Sequence, residues 1–278
     1  MFVSEKLVFV ELHKTGGTHI CRWLGKLVGG EQRGKHNRVP PDLQDRFILG
    51  SVRNPWDWYV SLWAFGCGGE GSVRRQTTRK IDLCYMHRQL NHEMGQRRLS
   101  AGQWWTQLCH DLVKPVGRWR DVYRDPEDAT AFRQWLRLIM DPGRRYDVGE
   151  GFGFSPVSSR FGLLTYRYLK LFTDLGPLLY VDSGLRNLDG LRDVWNARHQ
   201  VDFVIRNENL ETDLLDALAA AGCQVSDSNR AALLEARTRK TNTSRRRETN
   251  YYYDQETSAL VAEREALVVG NHGYVPPV

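Results

Sequence analysis

Lysine is scarce in this chain and cysteine shows no pairing pattern. Of 39 basic residues only eight are Lys, the rest being Arg, against 33 acidic residues, for a net charge of +6. Arg-rich composition suits bidentate binding of phosphate or sulfate, but a GC-rich genome gives the same bias, so charge alone decides nothing. The longest basic run, Arg245-Arg246-Arg247, is short, lies between Ser244 and Glu248, and has no interleaved aromatics, so no nucleic-acid partner is expected. The five cysteines, Cys21, Cys67, Cys84, Cys109 and Cys223, are odd in number and show neither a CxxC pair nor zinc-ligand spacing, which fits a reducing compartment. No basic leader and no long apolar run precedes the strand-like Leu7 to Leu12. Neither a signal peptide nor a membrane span is therefore expected, and the expected location is cytoplasmic. Internal repeats and low-complexity segments are also missing.

What is present is an ordinary globular composition. The 278 residues are 41% apolar and 26% charged, enough for one large α/β domain or two small ones. Leu7-Val8-Phe9-Val10 is a continuous apolar run, as expected of a strand covered on both faces. After Gly16 and Gly17, the residues Ile20, Trp23, Leu24, Leu27 and Val28 fall on one face of a helix ending near Gly29-Gly30. A second unit of the same kind has Phe47 to Val52 as the strand, Asn54 as N-cap and Pro55 at the first helical position. From about residue 66 to 176 the pattern loosens into Gly-, Arg- and Trp-rich stretches with short helical segments. Regular units resume with strands at Leu178 to Val181 and Val201 to Ile205, a helix from Leu210 to Ala221, and a terminal helix from about Gln255 to Val268. The expected fold class is α/β, a parallel sheet flanked by helices with a mostly helical insertion. The whole chain, 1–278, then forms a single domain, with a core of about 1–65 and 177–278 and a covering insertion of about 66–176.

Two segments carry chemistry. His13-Lys14-Thr15-Gly16-Gly17-Thr18-His19 lies between a buried strand and a helix N-terminus, where unpaired N–H groups and the helix dipole favour an anion. The glycines allow close backbone approach, Lys14 adds a cation, and the Thr15 and Thr18 hydroxyls can donate to phosphate oxygens. A tight strand-to-helix turn with no ligand is the plain alternative. Walker A needs its Lys after the glycines, whereas Lys14 precedes them, so the order is wrong for an NTPase. Arg53-Asn54-Pro55-Trp56-Asp57-Trp58-Tyr59-Val60-Ser61 again ends a strand and starts a helix. Arg53 can fork onto a phosphate and Ser61 can donate a hydroxyl; a surface Arg and an unpartnered helix Ser are the alternative.

Together and at this spacing, the two segments resemble the sulfotransferases that use 3′-phosphoadenosine 5′-phosphosulfate (PAPS), whose first loop binds the 5′-phosphosulfate and whose RxPxxxxxS segment binds the 3′-phosphate. The resemblance implies their P-loop-like nucleotide-binding fold. It places Lys14, Thr15, Gly16, Gly17, Thr18 and His19 at the 5′ site and Arg53 and Ser61 at the 3′-phosphate. It also implies transfer without a metal. Val201 to Leu210 looks like the strand and Glu-Asn-Leu turn of the Golgi-type carbohydrate sulfotransferases and their soluble bacterial relatives, and Tyr251-Tyr252-Tyr253-Asp254 with Gly273-Tyr274 looks like their C-terminal helix. The likeness covers roughly residues 1–65 and 200–278. Ser244, Arg245 and Arg246 then become candidate nucleotide ligands, with a solvated charge run as the alternative.

A general base for the acceptor hydroxyl should titrate near neutrality. His13 and His19 fall inside the loop, and His87, His92, His110, His199 and His272 have no motif around them. His36 lies in the connection between the first helix and the second strand, where several carbohydrate-modifying relatives carry a His that some use as base. It is the candidate base, with an exposed loop histidine as the alternative, and Lys14 is the candidate group for the leaving oxygen. The expected acceptor is a hydroxyl of a carbohydrate or glycoconjugate. The competing functions are a P-loop-like kinase or NTPase and a catalytically inactive nucleotide-binding protein on the same fold. Trp104, Trp105, Trp119, Trp135, Phe152, Phe154 and Phe161 can stack on rings or fill a core.

Overall fold

The computed structural model describes residues 1–81, 100–236 and 246–278. The chain divides into two compact units. The first comprises Met1–Trp58, Arg167–Gly176 and Asp193–Thr243; the second comprises Tyr59–Tyr166, Pro177–Arg192 and Ser244–Val278.

The first unit is built on a five-stranded mixed sheet: β1 (Phe2–Val3), β2 (Leu7–Val10), β3 (Glu31–Gln32), β4 (Phe47–Val52) and β5 (Phe203–Arg206), in the order β3-β1-β2-β4-β5. The pairs β2–β4 and β4–β5 are parallel, whereas β1 pairs antiparallel with both β2 and β3. The expectation of a parallel sheet is corrected at that edge. Only three residues separate β1 from β2, enough for a turn back but far too few for the crossover a parallel neighbour needs. The β2–β4–β5 centre does follow the apolar pattern, since all four residues of β2 are buried.

Helix α1 (Gly17–Leu27) turns Ile20, Trp23 and Leu24 into the core with Phe9, Leu49 and Ile205. A later helix, Leu210–Ala220, adds Leu214 and Leu218 to the same cluster. Gly50 of β4 leaves room for the Phe172 ring, whose carbon would stand 2.8 Å from an added Cβ. In register, Val10 lies opposite Gly50, and Val52 opposite Arg206. The three parallel strands therefore finish at one edge, and the segments after them gather there, the usual place for ligands in open α/β sheets.

Helix α2 (Pro55–Cys67) begins in the first unit and ends in the second. The described secondary structure of the second unit is helical: α3 (Ser72–Thr77), α4 (Ala101–Val113), α5 (Val116–Asp121), α6 (Ala129–Met140) and several 3₁₀ turns. The boundary between the units also falls within α7 (Leu163–Phe172) and α8 (Leu188–Arg198). The first unit then adds α9, the Leu210–Ala220 helix, and α10 (Asp227–Ala236). The chain ends in the second unit with α11 (Thr249–Tyr252), α12 (Gln255–Arg264) and α13 (Ala266–His272). Its core is aromatic: Trp63 meets Phe132 and Tyr252 edge-on, and the Trp135 indole N–H donates to the Tyr123 hydroxyl at 2.7 Å. Trp119, Trp135, Phe152 and Phe161 are core residues, while Trp105 is 63% exposed.

Two further expectations are corrected. Leu178 to Val181 is not a strand: Leu178 to Tyr180 lie within the 3₁₀ turn Gly176–Tyr180; Leu179 alone of the four is fully buried, and Pro177 supplies no N–H for a ladder. The terminal helix is two helices that part at Glu265, whose backbone leaves helical geometry at φ −112 and ψ 24. The cause is the Glu265 side chain, which is drawn into the core.

Candidate functional site

The segment between β2 and α1 is fixed by an unusual set of hydrogen bonds, all within the first unit. Four consecutive carbonyls each accept from a side chain. Glu11 O is 2.9 Å from His36 Nδ1, Leu12 O accepts from the Thr15 hydroxyl at 2.7 Å, His13 O from the Trp58 indole N–H at 2.6 Å, and Lys14 O from Arg53 Nη1 at 3.2 Å. Backbone oxygens that would repel an anion are thus engaged by side-chain donors, three of them on other segments. In a trans peptide the C=O and the following N–H point to opposite sides, so holding the oxygens turns the amide hydrogens the other way.

The backbone conformations fit this role. Lys14 sits at φ 62 and Gly16 at φ 85, both in the left-handed region. A Cβ on Gly16 would stand 2.6 Å from Leu210 Cδ1 and 2.8 Å from Asn207 Nδ2, so the turn after β5 packs directly on the loop. Gly17 is equally confined, because a Cβ there would meet Glu11 Oε1 at 2.7 Å. Helix α1 starts at this point with Gly16 as N-cap, no side-chain cap and no acidic residue in its first turn. The first backbone bond of the helix runs from the His19 N–H to Gly16 O at 2.9 Å, so the Gly17 and Thr18 N–H groups stand ahead of the ladder, at the positive end of the dipole.

The side chains expected at the 5′ site divide. Lys14 is half-buried at the loop and Thr18 is exposed at the helix start. The Thr15 hydroxyl is fully buried, donating to Leu12 O and lying 2.7 Å from Ser51 Oγ on β4; its side chain ties the loop to the sheet. His19 turns toward α9, with Nε2 3.4 Å from Glu211 Oε1. Burial lowers its pKa, against the opposing pull of Glu211.

Arg53 directly follows β4 and is anchored from two sides. Nε and Nη2 lie 2.6 and 2.5 Å from Asp57 Oδ2, one helical turn on, and Nη1 reaches Lys14 O. Three of the roughly five guanidinium N–H groups are thereby engaged. Asn54 caps α2 through Trp56 N–H at 3.1 Å, and its own N–H donates to Glu208 Oε1 at 2.7 Å. Ser61, also expected at the 3′-phosphate, is buried in the part of α2 that belongs to the second unit. Arg246 is half-buried in the second unit, close enough for its charge to act on the Tyr252 hydroxyl. Ser244 and Arg245 lie outside the described residues, as do His87, His92 and Cys84.

His36 is brought to the loop. Its ring stacks on His13 with centroids 3.5 Å apart and an interplanar angle of 13°. Because a carbonyl can only accept, the contact with Glu11 O means that Nδ1 carries the proton, and Nε2 is the basic nitrogen of the neutral ring. His36 is itself held in the left-handed region, at φ 56.

Sequence reasoning missed Glu11, Asp57, Trp58 and Arg167. Glu11 is 2% exposed, and its carboxylate accepts from Gln32 at 2.9 Å. The signal for Glu11 and Arg167 was a charge inside an otherwise apolar stretch. For Asp57 and Trp58 no local pattern distinguishes them from ordinary helix residues. A depression of about 410 Å³ lined by Gln44, Arg46, Phe47 and Asp202 lies at the N-terminal ends of β4 and β5, the opposite edge of the sheet. Among the described residues no His, Cys, Asp and Glu side chains gather as a metal-binding group, and no helix is long and apolar enough to cross a membrane. No family model, no curated protein and no solved structure matches the chain.

Proposed function

We propose that this chain is a PAPS-dependent sulfotransferase, with a P-loop-like nucleotide-binding core, acting on a hydroxyl of a carbohydrate or glycoconjugate. The observation that carries the reading is the run of four carbonyls, Glu11 to Lys14, each engaged by a side-chain donor ahead of an uncapped helix N-terminus. Such a segment suits an anion on its amide side. The resemblance of both motifs to that family supplies the identity of the anion.

In this reading the loop amides and the Lys14 ammonium hold the 5′-phosphosulfate, and Lys14 stabilises charge as the bridging oxygen becomes phosphate. The two remaining Arg53 N–H groups serve the 3′-phosphate, with Arg53 sharing its charge between that phosphate and Asp57. His36 Nε2 takes the acceptor proton as the acceptor oxygen bonds to sulfur and the sulfur–oxygen bond to the 5′-phosphate breaks. The products are the sulfate ester and 3′-phosphoadenosine 5′-phosphate (PAP). The protein's part is mainly placement and charge, as in phosphoryl transfer.

The test is transfer of label from ³⁵S-PAPS to a panel of glycans, glycolipids and phenols. The expected result is a labelled sulfate ester on a glycan, with His36→Ala lowering turnover by roughly 10²–10⁴-fold while PAP affinity stays nearly unchanged. Consumption of ATP with Mg²⁺ and no use of PAPS would overturn the reading in favour of a kinase or NTPase. PAP binding with no transfer to any acceptor would favour the inactive nucleotide-binding protein.

A further inference from the structure

Arg167 carries a charge that is almost completely withdrawn from water, at 1% exposure, in the α7 helix. Burying a guanidinium is costly unless neighbouring groups recover the loss. One such neighbour is Trp58, itself fully buried, whose ring centroid lies 5.7 Å from Arg167 Cζ. That distance is within cation–π range, and a planar guanidinium is well suited to lie on an indole face. The other end of the same indole donates its N–H to His13 O. His13 in turn precedes Lys14 and stacks on His36. A chain of three contacts thus joins a buried cation to both groups assigned to the chemistry.

We propose that Trp58 and Arg167 are positioning residues for the anion loop. The indole N–H fixes the His13 carbonyl, and the guanidinium fixes the plane of the indole. Because the His13–Lys14 peptide is trans, a carbonyl held toward Trp58 turns the Lys14 N–H to the side away from it. The same anchor keeps the His13 ring flat against His36. Trp58 therefore sets the loop's amide direction and the base's wall together. The inference rests on the sulfotransferase reading for what the loop holds, though not for the anchoring itself.

The two ideas separate in one experiment on the full chain. Trp58→Phe keeps an aromatic face for Arg167 and deletes the N–H. Arg167→Lys keeps the charge and deletes the planar fork, and it carries the test alone if Trp58→Phe fails to fold. Amide hydrogen exchange is measured across His13–Gly17 without ligand, and PAP affinity by calorimetry. Both variants are expected to exchange about fivefold faster in the loop and to weaken PAP by about the same factor, the worth of one hydrogen bond. Exchange in the core strands β2 and β4 should be unaltered, which a general loss of stability would not give. Loop exchange equal to wild type in the folded variants overturns the proposal. Faster loop exchange in a protein whose wild type binds no PAP supports the anchoring and removes the sulfotransferase reading instead.

Discussion

At the scale of single residues, Glu265 is a fully buried acid of the second unit. It has no solvent exposure, and its carboxylate accepts from the Tyr59 hydroxyl, the Leu164 and Thr165 N–H groups and the Thr165 hydroxyl. It thus caps the first turn of α7 from a distance in sequence of 100 residues. Gly162 is glycine for the same reason, since a Cβ there would overlap the carboxylate. Burial pushes the Glu265 carboxyl up to about 7, against hydrogen bonds that pull it down. The native protein then holds a proton that the unfolded chain, near 4.5, has released. Stability from this group is complete below the unfolded value and falls as pH rises through the folded one, by on the order of 3 kcal/mol. The measurement is urea unfolding between pH 4.5 and 7.5 for wild type and Glu265→Gln. Wild type is expected to lose stability across that window relative to the variant, whose side chain does not titrate. Parallel curves would mean that the carboxyl titrates alike in both states.

At the scale of elements, the βα unit made by β2 and α1 was legible, and its neighbours were not equally so. Leu7 to Val10 read correctly because a strand covered on both faces leaves a continuous apolar run, and Phe47 to Val52 because its apolar start runs into the Asn54-Pro55 helix signal. β1 and β3 are two residues each, too short for any period to register. Leu178 to Val181 had the apolar run without the burial. The break at Glu265 was invisible because the N–H groups that its carboxyl accepts from, at the start of α7, are far away in the chain. The loop motif was legible from its glycines and Lys14, but the donors that hold its carbonyls come from Arg53, Trp58 and His36, and no local pattern says which carbonyl a remote side chain will meet. Gly16 tests the element as built. Gly16→Ala forces a side chain into φ 85 and against Leu210 and Asn207. The expected loss is about 1–3 kcal/mol of stability by denaturant unfolding, together with weaker PAP binding. Wild-type stability in the variant would mean that the turn after β5 does not seat on the loop.

At the scale of the whole molecule, the five-stranded sheet gathers the segments after β2, β4 and β5 at one edge, and the two expected phosphate contacts of the first unit, Lys14 and Arg53, follow different strands. Ligand binding should therefore be linked to folding of the chain and not to one loop. A ligand held at a hundred times its dissociation constant adds about 2.7 kcal/mol to the stability of the folded state. Thermal melting with saturating PAP in the presence of a chelator addresses the central claim directly, because both sites are read as amides and cations. The account predicts a rise of several degrees with PAP, a smaller one with adenosine 5′-phosphosulfate, which lacks the 3′-phosphate, and none with ATP and Mg²⁺ in a parallel run without chelator. An unchanged melting temperature with PAP would contradict it.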